Sequence, residues 1–399
     1  MFALLFRARV IPWLTFVALV FASCGTTGST SPTSVTTAPT TGSTSAVAAT
    51  PAAAGSPANG SIPYTDVNPY GVNTFMEREV EAVKNDKTAD LLKQAHIGWI
   101  KQQFLWAGIE TSKGHLDWTK WDGIVDRMNS RGIKVIARLD YTPGWAQKRA
   151  NPNAPPDNPA DYAEFVFQFT KHYAGRVAAV QIWNEPNLSV EWGGQPPNAQ
   201  AYVNLLKLSY ARAKAGDPNV IVLSAPLAET LERSPKALTE TEYLQQMYDA
   251  GARSVFDVLS ANAYGLGFPP DDPPTADRLN FLRFTFLHDV MVKNGDANKA
   301  IWFNEYGWNA SPKDMAPEKM IWSRVTREQQ ATYTTDGIKL AREKYPYVGV
   351  INIWYFRQVG DTPPTESSYY FDMVAPDYTI NPVYTAVQQS AANGVGMRK

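Results

Sequence analysis

Two glutamates stand where runs of apolar residues give way to loops. The first lies in Gln181-Ile182-Trp183-Asn184-Glu185-Pro186-Asn187 and the second in Ile301-Trp302-Phe303-Asn304-Glu305-Tyr306-Gly307-Trp308. A pair of carboxyls set at strand ends can divide the labour across a glycosidic bond. One protonates the leaving oxygen while the other attacks the anomeric carbon. A lone glutamate in a strand-ending loop is most often a solvated surface group. An Asn-Glu-Pro and a second Glu at matching strand ends are far more specific, provided that the fold brings those ends together.

The elements that would do so are legible from Asp66 onward. Short β-rich apolar runs fall at Tyr70–Phe75, Trp99–Phe104, Lys134–Asp140, Val177–Glu185, Val220–Ser224, Asp257–Ala263, Ala300–Glu305 and Gly349–Phe356. Helical patterns lie between them, at Glu77–Ala95, Trp118–Arg131, Pro159–Ala174, Ala199–Ala215, Thr239–Ala250, Ala276–Asn294, Arg327–Lys344 and Pro382–Ala392. In Ala276–Asn294 the apolar positions Leu279, Leu282, Phe286, Leu287 and Val290 recur at three- and four-residue steps, as a one-sided helix requires. Strands alternating in this way with helices predict a (β/α)8 TIM barrel, whose chemistry gathers at the carboxyl ends of the strands. A doubly wound sheet is the rival, but no Gly-rich phosphate turn follows any early strand.

With these pieces in place the chain resembles a clan A retaining glycoside hydrolase, similar to the family 39 and family 5 type. The resemblance covers roughly residues 66–390. It is carried by Trp-Asn-Glu-Pro at 183–186, Trp-Phe-Asn-Glu-Tyr-Gly at 302–307 and Ile-Trp-Tyr at 353–355, with the loop Ile109 to Trp118 also similar. It implies Glu185 as general acid/base, Glu305 as nucleophile and Asn184 as the partner of the sugar 2-hydroxyl. It further implies Tyr264 as the hydrogen-bond donor to the nucleophile and Trp354 as the sugar platform, followed by a cis peptide. Trp308, Trp106, Trp145 and Trp192 are candidates for further subsites. The chain departs from the clan pattern near strand two, where an arginine beside the nucleophile is common. The stretch here reads Trp99-Ile100-Lys101-Gln102-Gln103-Phe104, leaving Lys101 or Arg138 to fill that place. Asn73 and Asp140 are further strand-end polar candidates.

The amino terminus carries a different message. Arg7 and Arg9 precede the uncharged apolar run Val10 to Ala22, followed by Ser23-Cys24-Gly25. This pattern reads as a secretory signal peptide over 1–23. Phe21-Ala22-Ser23-Cys24 is similar to a bacterial lipobox, with Phe21 where leucine is usual, so Cys24 is the expected lipidation site. Residues 24–65 are rich in Ser, Thr, Ala and Pro and read as a flexible tether. The expected catalytic domain is 66–399, at the cell surface or outside the cell.

Composition narrows the remaining classes. The 399 residues include 44% hydrophobic and 12% aromatic positions, a folded composition. A net charge of −1 gives no basic footprint for nucleic acid. One cysteine excludes an internal disulfide framework. His96, His115, His172 and His288 show no metal-ligand spacing, so neither a metal nor another cofactor is expected. The expectation is a monomeric enzyme cleaving a β-linked poly- or oligosaccharide. The alternatives are a transglycosylase or a non-catalytic carbohydrate-binding lipoprotein on the same scaffold.

Overall fold

Eight parallel strands alternate with helices around a barrel. The computed structural model describes residues 61–360 and 362–398; the leader, Cys24 and the tether as far as residue 60 lie outside them. The strands are β1 (Tyr70–Thr74), β2 (Trp99–Leu105), β3 (Lys134–Asp140), β4 (Ala179–Ile182), β5 (Ile221–Leu223), β6 (Leu259–Tyr264), β7 (Ile301–Gly307) and β8 (Val348–Ile353). Neighbours pair in the order β5-β4-β3-β2-β1-β8-β7-β6. The seam between β5 and β6 is drawn together by a parallel bridge, Leu223 to Val258, and by the Asp257 N–H donating to the Val222 carbonyl at 2.8 Å.

The helices are α1 (Ala82–Gln94), a single turn α2 (Trp106–Ile109), α3 (Thr119–Asn129), α4 (Pro159–His172), α5 (Ala199–Gly216), α6 (Glu240–Asp249), α7 (Phe284–Lys293), α8 (Arg327–Lys344) and α9 (Pro382–Ala392). Their starts follow local chemistry. Asn158 caps α4 by accepting from the Ala160 N–H, with Pro159 at the first helical position. Thr326 and Gln329 close a reciprocal capping box on α8. The inner faces bury Tyr162, Phe165, Val166 and Phe169 on α4 and Tyr202, Leu205 and Leu206 on α5 against the outside of the barrel.

Inside the barrel, alternation along each strand sorts residues into layers. The lower layer is apolar: Trp99, Ile136, Ala179, Leu223, Val258, Trp302 and Val350, with the two indoles edge-on at 5.1 Å. Two residues further along, the same strands turn Lys101, Arg138 and Gln181 inward. The barrel is therefore an apolar plug beneath a polar floor, and the floor faces the carboxyl ends.

Among the boundaries that differ from the sequence expectation, three have a visible reason. The first helix starts at Ala82 rather than Glu77, because Glu77 occupies a 3-10 turn and is buried against the Gln102 amide at 2.5 Å. The helix expected from Ala276 starts at Phe284. The Asn280 amide and the Arg283 guanidinium instead hold loop carbonyls, those of Pro273 and Thr275, each at 2.9 Å. Strand four stops at Ile182 instead of running to Glu185, and that early stop builds the site.

Candidate active site

After Ile182 the chain leaves extended geometry. Trp183 takes a φ of 71° and Glu185 a φ of 38°, angles that side chains other than glycine seldom hold. Neighbours fix both. The Trp183 indole N–H donates to the Glu191 carbonyl at 3.0 Å, and the Glu185 N–H donates to the Pro226 carbonyl at 3.1 Å. Glu305 reaches the site by another device. The β6–β7 register slips so that Ala261 pairs with Phe303 and Asn262 with Glu305. A bulge of this kind inserts one residue and re-aims a side chain. Asn304 and Glu305 consequently both serve the interior: the Asn304 amide donates to Gln181 across the barrel, while Glu305 meets β2 and β6.

Glu305 has a donor on each oxygen. Lys101 Nζ lies 3.2 Å from Oε1, and the Tyr264 hydroxyl donates to Oε2 at 2.7 Å. Lys101 and Glu305 form a buried ion pair. Burial pulls the Lys101 pKa below the usual lysine range, and the Glu305 charge draws it part of the way back. Burial, then the Glu305 charge, pushes the Tyr264 pKa well up, so its hydroxyl remains a protonated donor.

Glu185 is held differently. Its Oε1 accepts from the Asn262 amide at 2.5 Å. Burial first, then the charges of Glu305 and Glu191, push its pKa well above the ordinary carboxylate range. Because Oε1 is committed as an acceptor, Oε2 is the oxygen left to carry a proton when this carboxyl is protonated. Beside it, the buried Asn184 amide accepts from Gln181 at 3.4 Å and donates to Glu191 Oε2 at 3.5 Å. Arg138 completes that wall, with Nε 2.5 Å from Asp140 and Nη2 3.9 Å from Glu191.

Trp354 is partly exposed at the mouth, edge-on to Phe75 at 5.5 Å. The Trp354–Tyr355 peptide is cis. Tyr264, Tyr355 and Phe371 form a small apolar cluster of their own, with Phe75, Leu266, Trp322 and Trp354 packed against it.

No protein-family model matches this chain, and no curated protein matches it either. Solved structures do. The chain is similar to a family 39 glycoside hydrolase from Bacteroides cellulosilyticus, with a TM-score of 0.61 and 20% identity over 82% of this chain and 64% of that one. A GH39 enzyme from Xanthomonas axonopodis pv. citri matches at a TM-score of 0.61 and 18% identity, over 83% and 67%. GH5_18 from Streptomyces cattleya, solved with GlcNAc, matches at 0.62 and 14%, over 84% and 82%. The chain thus spans just under two thirds of the Bacteroides enzyme. At these identities what is shared is the fold, a (β/α)8 barrel.

The structure brings Asn184, Glu185, Tyr264, Glu305 and Trp354 to one mouth. Of the two basic candidates, Lys101 reaches Glu305, while Arg138 pairs with Asp140 and Glu191. Trp308 is a correction. It is 1% exposed, its indole N–H donates to the Phe268 carbonyl at 2.7 Å, and its ring packs on Tyr306 and Tyr333. No face is left for a sugar. Trp106 and Trp192 are likewise buried, whereas Trp145 is partly exposed. Asn73 serves the backbone, donating to the carbonyls of Asn304 at 2.9 Å and Ile353 at 3.3 Å.

Sequence reasoning passed over four neighbours of the site: Asn262, Glu191, Glu229 and Trp322. Asn262 lies two residues before Tyr264, so the period of a strand places both on one face. Glu229 accepts the Tyr264 N–H at 3.1 Å, and burial, then the charge of Glu240, pushes its pKa well up. Glu191 and Trp322 come from loops and carry no periodic signal. Among the described residues no His, Cys, Asp and Glu group is arranged to hold a metal ion.

Proposed function

We propose that this chain is a retaining glycoside hydrolase that cleaves a β-linked oligo- or polysaccharide. The observation that carries this reading is the contrast between two carboxyls in one mouth. Glu185 is surrounded by burial and negative charge, which favour its protonated form. Glu305 is bracketed by the Lys101 ammonium and the Tyr264 phenol, one donor on each oxygen. One acid and one nucleophile are what a double displacement needs.

In the first step Glu185 Oε2 gives its proton to the glycosidic oxygen as the C–O bond breaks. A Glu305 oxygen attacks the anomeric carbon, forming a glycosyl ester. In the second step the Glu185 carboxylate takes a proton from water, whose oxygen attacks the anomeric carbon and releases Glu305 as carboxylate. Asn184 holds the 2-hydroxyl, and Trp354 offers an apolar face to the ring. A sugar in place of water would make the same site a transglycosylase.

The surface location joins this proposal through the sequence of residues 7–25. Cys24 is proposed as a lipidated amino terminus carrying the catalytic barrel on its tether. Mass spectrometry of the mature protein checks it: a free terminus beyond Cys24 would make the enzyme a secreted one.

Glu305→Ala is the test of the activity. It should lower kcat on an aryl β-glycoside by on the order of 10⁴-fold or more while the barrel stays folded. Near-native activity in that variant would overturn the proposal.

A further inference from the structure

We propose that Glu191 is a specificity-determining contact, accepting a hydroxyl of the same sugar ring that Asn184 holds. The proposal rests on the hydrolase reading above and adds a residue and a substrate requirement to it. Glu191 lies in the short 3-10 turn Ser189–Trp192 that follows the Asn-Glu-Pro segment. Its backbone is pinned at two points: its carbonyl receives the Trp183 indole N–H at 3.0 Å, and its own N–H donates to the Leu188 carbonyl at 3.2 Å. The turn therefore folds back over the strand end from which it came and aims the carboxyl at the mouth.

The two oxygens of that carboxyl are used unequally. Oε2 receives the Asn184 amide at 3.5 Å and lies 3.9 Å from the Arg138 guanidinium. Oε1 has no donor among the described residues, and the side chain remains 26% exposed, in contrast with the enclosed Asp140 beside it. Asp140 is the informative comparison, because both of its oxygens are satisfied by protein, from Arg138 and from Gln103 at 2.8 Å. A structural acid in this cluster looks like Asp140. Glu191 keeps a free acceptor beside Asn184 and Glu185, on a backbone that is already fixed.

The orientation of the Asn184 amide strengthens the point. Its oxygen faces Gln181 and its nitrogen faces Glu191, so the amide presents a donor at the place where Glu191 presents an acceptor. A ring hydroxyl between them can accept from one and donate to the other. Among the described residues this wall holds no free cation, since Arg138 is shared between two acids, so the ligand chemistry it fits is a neutral, hydroxyl-bearing ring. A site that hydrogen-bonds a substrate hydroxyl discriminates strongly against the analogue lacking it.

The test pairs variants with deoxy substrates. Wild type, Glu191→Ala and Glu191→Gln are compared on a 4-nitrophenyl β-glycoside that the wild type cleaves and on its 2-, 3- and 4-deoxy counterparts. Thermal unfolding of each variant serves as the check on folding. Glu191→Ala should lose about tenfold to a hundredfold in kcat/KM on the parent, the scale of a hydrogen bond to a charged group. Glu191→Gln, which retains an acceptor oxygen, should recover part of that loss. On one deoxy substrate the Ala penalty should fall below about threefold, because the hydroxyl it served is missing. A penalty equal across all four substrates would overturn the contact while leaving the hydrolase intact. A wild type that cleaves no β-glycoside would overturn the hydrolase reading, and the contact with it.

Discussion

The two walls of the barrel mouth are built from opposite materials. The wall from β3 and β4 is charged: Arg138, Asp140, Asn184 and the returning Glu191 share one network, and Glu185 stands beside it, held by Asn262 of β6. The wall from β6, β7 and β8 is aromatic, with Tyr264, Tyr355 and Phe371 packed together and Trp322 and Trp354 against them, and its Glu305 is tied to Tyr264 and to Lys101 of β2. Both glutamates are the same residue type on the same fold. Their neighbours separate them. Glu185 feels burial and two nearby acids, and its pKa rises; Glu305 is matched by a cation and a hydroxyl. The proposed roles of acid and nucleophile follow from environment, and the environment is set by which wall each carboxyl belongs to.

That comparison can be broken from either side. Beyond the loss expected of Glu305→Ala, the largest effect is expected on the charged wall. Glu185→Gln should slow cleavage of a poor alkyl leaving group by about 10²- to 10⁴-fold, the range of general acid catalysis. The first step on a dinitrophenyl glycoside, which needs no proton, should be nearly unaffected. Burst kinetics that show equal losses for both leaving groups would remove Glu185 from the acid role. On the aromatic wall, Tyr264→Phe keeps the ring and deletes the donor to Glu305. A fall in kcat of about ten- to a hundredfold is expected, since hydrogen bonds to charged groups are worth about 1.5–3 kcal/mol. An unchanged kcat would mean that Lys101 alone sets the Glu305 environment.

The smallest effect concerns the pH profile. In the proposed mechanism Glu185 is the proton donor, so activity should be lost as pH rises through its pKa. Its raised pKa keeps it protonated to higher pH, and the Glu191 charge contributes to that. Glu191→Gln removes a negative neighbour, and the alkaline limb of kcat/KM should move to lower pH. A limb that stays in place would show the two carboxyls to be uncoupled.

Much of this was legible in the sequence, for reasons that particular residues make plain. The β-rich runs and intervening helical patterns gave the barrel because strand and helix periods differ. Glu185 and Glu305 stood out because each ends an apolar run. The bulge at Glu305 was invisible, since it depends on the register with Asn262 in another strand. Glu191 carried no signal because its role comes from a turn folding back over Trp183.

Trp308 misled for a related reason. It follows strand seven closely enough to suggest the mouth, yet Gly265 and Gly337 leave room for its ring to sink inward, and a Cβ at Gly265 would overlap it. Those two glycines were the available signal, and only the fold shows which tryptophan they make way for.

The claim that Glu185 and Glu305 act by double displacement is tested most directly by the stereochemistry of the first product. Proton NMR of a β-glycoside digest, recorded before mutarotation, should show the β-anomer of the released sugar appearing first. Initial appearance of the α-anomer would mean a single displacement by water and would contradict the assignment of Glu305 as nucleophile.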